Sequence, residues 1–113
     1  MADTTPSDFD CAEPWVGDLK ELVQFADRGI VSKTLVDCPK AKVVLFGMKT
    51  GQSLSSHAAG TAATIQVLQG AGTITLGETD YEGAPGSIYY MPAGRPHALT
   101  STDDLVFLLN LFR

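Results

Sequence analysis

The chain contains two histidines, His57 and His97, and each closes a stretch punctuated by glycine and proline. The first stretch reads Gly51-x5-His57 and continues through an alternating segment to Gly70. The second reads Gly86-x5-Pro92-x-Gly94-x2-His97. An imidazole titrates near neutral pH and is a common transition-metal ligand. The chemistry open to such a pair is metal ligation, proton transfer or recognition of a small ligand. Ser53, Ser55 and Ser56 precede His57, but no acid is placed to orient the ring, so a nucleophilic triad is not expected. Gly70-Ala71-Gly72 reads as a turn and not a phosphate loop, because no helix or lysine follows it.

The segments that must position these rings have the punctuation of a β protein. Ile30–Val36 and Lys42–Phe46 are rich in β-branched and aromatic residues. Turn signals then recur at Thr50-Gly51, Gly70–Gly72, Leu76–Glu78, Glu82–Gly86, Pro92–Gly94 and Ser101–Asp104, which leaves no room for crossover helices. The expected fold is all-β, a single-domain antiparallel β-barrel or jelly roll. Thr61–Leu68 is expected to pair with Gly72–Leu76 as a hairpin. Residues 1–14, polar and carrying Pro6 and Pro14, read as a flexible N-terminal arm before a barrel domain over 15–113. Asp18 as an N-cap permits a short helical turn over the following residues, and a strand is equally compatible. The C-terminal segment is expected to be a strand with Leu105, Phe107, Leu109 and Leu111 on one face. Val106, Leu108, Asn110 and Phe112 fall on the other. Trp15 and apolar residues of 19–25 can cover part of this second apolar face, and a second subunit is the expected cover, giving a homodimer.

The two punctuated stretches resemble the two sequence motifs of the cupin family, small β-barrels that often bind a metal inside. The resemblance covers residues 41–101, is closer in the second motif, and points to small single-domain cupins of the cupin 2 type. It implies that His57 and His97, which match metal ligands of the family, sit on neighbouring strands at the barrel mouth. It also supports the homodimer, because cupins commonly dimerise through sheet packing. The family's first motif supplies His-x-His and then Glu, whereas this chain reads His57-Ala58-Ala59 and then Ala63. A catalytic metal usually takes three protein ligands, and non-haem iron favours two His and a carboxylate. Ala59 and Ala63 cannot coordinate. Gln66 lies three residues past the Glu position and should face away, and Glu78, Asp80, Glu82, Asp103 and Asp104 are expected in turns. A third ligand from Glu13 or elsewhere in the arm is not demanded by the pattern. Three readings stay open: hydrogen-bonded relics, a weak two-His site for Fe, Mn, Ni or Zn completed by water, or a metal-free ligand pocket. The candidate pocket residues are His57, His97, Ala59, Ala63, Ile65 and Val67, and the two alanines make that pocket wider and more apolar. Of Tyr89 and Tyr90, one is expected to line the barrel and the other to face out.

Bulk properties narrow the partners. The 113 residues suffice for one core, and 44% hydrophobic with 19% charged content describes a globular chain. A net charge of −5 with eight scattered Lys and Arg argues against nucleic acid and anionic membranes. The longest apolar run is too short to span a bilayer, and the N-terminus lacks a signal-peptide pattern, so a cytoplasmic location is expected. Cys11 and Cys38 read as too few and too far apart for a disulfide framework or thiolate site, Cys38 as an incidental thiol and Cys11 as exposed at most. The expected function is a small-molecule-binding barrel, non-catalytic or weakly metal-binding. The alternatives are a metal-dependent dioxygenase or isomerase with an unusual ligand set, and an accessory module with a vestigial pocket.

Overall fold

The computed structural model describes residues 2, 3, 9–58 and 60–113, with the backbone alone at Ala2, Asp3 and His57. In chain order the elements are β1 (Ala2–Asp3), α1 (Leu19–Leu22), β2 (Ile30–Cys38), β3 (Ala41–Met48), β4 (Ser53–Ala58) and β5 (Ala62–Gln69). They continue with β6 (Gly72–Leu76), β7 (Thr79–Gly83), β8 (Ile88–Met91), β9 (Pro96–Ser101) and β10 (Leu105–Phe112). One sheet runs β1-β2-β3-β10-β5-β8 and the other β4-β9-β6-β7. Apart from the parallel contact of β1 with β2, the described pairings are antiparallel. The result is the all-β jelly roll that the turn spacing predicts.

Alternation decides which side chains enter the space between the sheets. On β5, Ala63, Ile65 and Val67 are each 1% exposed, whereas Gln66 faces out and accepts a hydrogen bond from Asn110 Nδ2 at 3.2 Å. Val44, Phe46 and Met48 of β3 meet Leu105 and Phe107 of β10 in this inner core, together with Ile74 and Leu99 from the smaller sheet. Tyr89 packs against it, while Tyr90 is largely exposed, which resolves the tyrosine alternation.

A second apolar layer lies on the outside of the larger sheet. Leu35, Leu45 and Val106 are buried there beneath Leu19, Leu22, Val23 and Phe25. Asp18 caps α1 by accepting from Lys20 N–H at 3.0 Å, so the helical alternative at this segment is the one observed. The chain crosses β3 at Gly47, where an added Cβ would stand 2.3 Å from the Gln24 carbonyl oxygen. Close to this crossing, Asp104 accepts from Thr50 N–H and Thr50 Oγ1, both at 2.9 Å, and lies 3.3 Å from Lys49 Nζ. The Thr50 backbone N–H, then its hydroxyl, hold the Asp104 carboxyl below its ordinary range.

Two expectations are corrected. The hairpin of 61–68 with 72–76 does not form. β5 pairs with β10 and β8, and β6 with β7 and β9, so Gly70-Ala71 carries the chain from one sheet to the other. The local hairpin is instead β6–β7, closed by Gly77 and Glu78 between paired Leu76 and Thr79. The cysteines are also not independent thiols. Cys11 and Cys38 form a disulfide across a separation of 27 residues. Closing a loop of that size contributes about 3.5 kcal/mol on the chain-entropy estimate, and such bonds persist in oxidising surroundings. It pins the described part of the arm to the end of β2; Met1 and residues 4–8 of the expected arm lie outside the described residues.

Replacing Gly47 with Ala should destabilise the protein by about 1–3 kcal/mol, the usual cost of overpacking, because backbone and not a flexible side-chain end must give way. Urea unfolding measures it, and an unchanged midpoint would show that 24–25 do not pack on β3 in solution.

Candidate functional site

The two motif stretches converge because β4 and β9 are neighbours in the smaller sheet. Their register pairs Leu54 with Leu99 and His57 with His97. Between those pairs β4 advances three residues while β9 advances two, so β4 carries a one-residue bulge. A regular ladder would have put Ser56 across from His97. The bulge puts His57 there. The side chain of His57, and Ala59 altogether, lie outside the described residues.

His97 is 7% exposed and enters β9 directly after Pro96, whose restriction of Arg95 to extended backbone sets the start of the strand. Its Nδ1 lies 3.4 Å from the Arg95 carbonyl oxygen. With the proton on Nδ1 the ring donates to that carbonyl.

Behind the ring, between the sheets, is a cavity of about 200 Å³. Phe46, Phe107 and Leu109 form its wall on the larger sheet with Ile65; Leu54, Leu99 and His97 form it on the smaller. The rings of Phe46 and Phe107 stack with centroids 4.7 Å apart and planes 4° apart. Of the six predicted pocket residues, His97 and Ile65 line this cavity. Ala63 and Val67 face the same interior but belong to the packed core and not to the cavity wall. Phe46, Leu54, Leu99, Phe107 and Leu109 line it as well and were not among the expected pocket residues. The alternation of β10 already put Phe107 and Leu109 on the inner face, so that signal was present. A larger groove, about 490 Å³, lies outside the barrel by Leu19, Leu68 and Val106. Among the described residues it carries no imidazole.

The described residues do not supply a three-ligand metal centre. Among the described residues no group of three or more His, Cys, Asp or Glu could hold a metal. Ala63, at the family's Glu position, presents a buried methyl group. With His57 the donor set at this register reaches two imidazoles, one short of the usual three. No carboxylate lines the cavity. Asp80 and Glu82, expected in turns, sit instead within β7, exposed, with Asp80 accepting from Thr75 Oγ1 at 2.7 Å.

A family model described as the cupin domain matches residues 44–110. The chain belongs to the cupin family. Its fold is similar to that of a conserved protein of unknown function from Streptococcus pyogenes, at 30% identity and TM-score 0.80 over 89% of each chain. An RmlC-like cupin from Desulfovibrio desulfuricans gives 25% identity and TM-score 0.80 over 88% of this chain and 97% of that one. A cupin 2 conserved barrel domain protein from Leptotrichia buccalis gives 30% identity and TM-score 0.78 over 83% and 46%. No curated protein matches the sequence. Among the described residues, no helix of this cupin is long and apolar enough to cross a membrane.

Chelation should leave the melting temperature unchanged, since the described donors do not assemble a centre on which folding could depend. Differential scanning calorimetry with and without EDTA checks this. A fall of several degrees would reveal a structural metal.

Proposed function

We propose that this cupin binds a small, largely apolar molecule in the cavity behind His97, without a tightly held metal. The observation that carries the reading is the cavity itself: about 200 Å³, six apolar side chains and one imidazole. An apolar cavity of about 150 Å³ stays dry and takes benzene. Drug-sized sites start at about 300 Å³. The occupant is therefore somewhat larger than a bare aromatic ring and smaller than a typical drug, with His97 as its polar anchor. Alanines at the family's ligand positions support the same reading, because they remove donors and leave apolar surface. A two-imidazole site would hold Fe, Mn, Ni or Zn weakly, with water completing the shell, and would not support a dioxygenase or isomerase cycle on its own.

Titration calorimetry with toluene and cyclohexanol tests it. Saturable, sub-millimolar binding is expected for the wild type. Leu54→Phe, which fills the cavity, should abolish binding while the protein stays folded. Stoichiometric iron, manganese, nickel or zinc in protein purified without added metal would overturn the reading in favour of the metal-dependent enzyme. Absence of any binding would favour the accessory module.

The same proposal includes a homodimer through the outer face of the larger sheet. Residues 19–25 cover Val106 there, while Ile88, Tyr90 and Phe112 remain 62%, 60% and 49% exposed. Light scattering should give twice the 12.0 kDa chain mass. A species of single-chain mass at micromolar concentration would rule the dimer out.

A further inference from the structure

The disulfide joins a fixed segment to a loosely held one. Cys38 ends β2 and pairs in register with Ala41, and Arg113 Nη1 donates both to its carbonyl at 3.0 Å and to Asp37 Oδ1 at 2.8 Å. Arg113 N–H donates in turn to the Lys40 carbonyl at 2.9 Å. Strand pairing and these bonds hold the Cys38 end whether or not the disulfide is present. Cys11 belongs to a stretch, residues 9–17, with neither strand nor helix, and every residue from Asp10 to Gly17 is exposed. Among the described residues, the hydrogen bonds of this stretch stay within it. Ala12 N–H donates to Asp10 Oδ1 at 2.9 Å and Glu13 N–H to the Asp10 carbonyl at 3.4 Å. The Cys11 sulfur lies 3.2 Å from the Asp37 carbonyl oxygen, but in the disulfide it has no proton to donate.

Packing beneath this stretch is incomplete. Phe9 and Trp15 line a cavity of about 210 Å³ with Leu22 of α1 and Lys33, Thr34 and Leu35 of β2. One water takes up about 30 Å³ in the liquid, so the space has room for several. Trp15 stays 47% exposed and Val16 93%. Segments with few buried contacts open at low free-energy cost while the rest of a fold stays closed. The disulfide is therefore the main tie between residues 9–17 and the barrel. It lies at the surface, with Cys11 exposed and Cys38 half-buried.

We propose that the Cys11–Cys38 disulfide is an exchange site for a reducing dithiol, and that its reduction frees residues 9–17 and uncovers Leu22 and Leu35 outside the larger sheet. A thiolate of the dithiol attacks Cys11 Sγ, on the more exposed residue of the pair. The Cys11–Cys38 bond breaks, and Cys38 leaves as a thiolate that takes up a proton. The second thiol of the reductant then displaces Cys11 from the mixed disulfide. Two electrons and two protons pass to the protein, which ends with two thiols, and the reductant ends as a disulfide. The chain has no third cysteine to divert either thiol, so reoxidation restores the same bond.

Dithiothreitol added to the folded, oxidised full chain tests this, with alkylation and mass analysis to count thiols. Trp15 is the chain's only tryptophan, so quenching of its emission by iodide reports on this stretch alone. Both thiols should appear without denaturant and iodide quenching should increase. Chymotrypsin should cut after Trp15 at least about tenfold faster, as expected for a segment that opens locally. Backbone amides of β3, β5 and β10 should keep their protection from hydrogen exchange. Cys11→Ser should show the freed state without reductant, and the reduced, alkylated wild type gives the same comparison if that variant does not fold. Thiols that appear only in denaturant would overturn the exchange site. Thiols that appear with Trp15 quenching and cleavage unchanged, or with protection lost throughout the barrel, would overturn the release.

Discussion

The first half of β10, from Leu105 to Phe107, is buried on both faces at the centre of the larger sheet, and this double burial sets the position of nearly everything else. Its Leu105 and Phe107 close the inner core with β3, β5 and the smaller sheet, while Val106 needs a cover on the opposite side. That outer cover is the chain's own segment around α1, admitted against β3 because Gly47 has no side chain. At roughly 1.5–3 kcal/mol for each large side chain removed from water, the outer layer is a substantial share of a typical domain's net stability. The disulfide from Cys11 to Cys38 then holds the chain leading into this cover.

The inner face of the same strand gives the site its character. Phe107 stacks on Phe46, and the pair leaves a gap next to Ile65, Leu99 and His97 instead of filling the barrel. In a barrel that positions three or four metal ligands, the middle of the fold is polar and charged. Here the position of the family's glutamate is a buried alanine, and the cavity wall is apolar apart from one ring. An apolar interior of this size gains most from a ligand that brings its own hydrocarbon surface.

The strands and their inward faces were legible in the sequence because two-residue alternation and turn chemistry are local. Ile65 and the Leu105–Phe107–Leu109 face follow from alternation alone. Features set by distant contacts were not legible. Gly70-Ala71-Gly72 suits a hairpin locally, yet the Ala71 carbonyl accepts from Thr102 and Asp103 N–H, and Gly70 packs against the Asp104 backbone, so the segment crosses between sheets. The bulge that brings His57, and not Ser56, across from His97 has no turn residue to announce it. Val67 was placed on the correct face, but alternation gives direction and not depth, and its layer is packed core. The disulfide depends on where the segment before α1 runs, which no periodicity encodes.

The proposed function requires an accessible, apolar, ligand-sized space behind His97, inside the barrel. Crystals held under xenon pressure test it most directly, because xenon enters apolar cavities without hydrogen bonds, charge or metal. Xenon density is expected among Phe46, Ile65, Leu99 and Phe107 and should be lost in the Leu54→Phe variant. Xenon confined to the outer groove by Leu19 and Leu68, with none between the sheets, would contradict it.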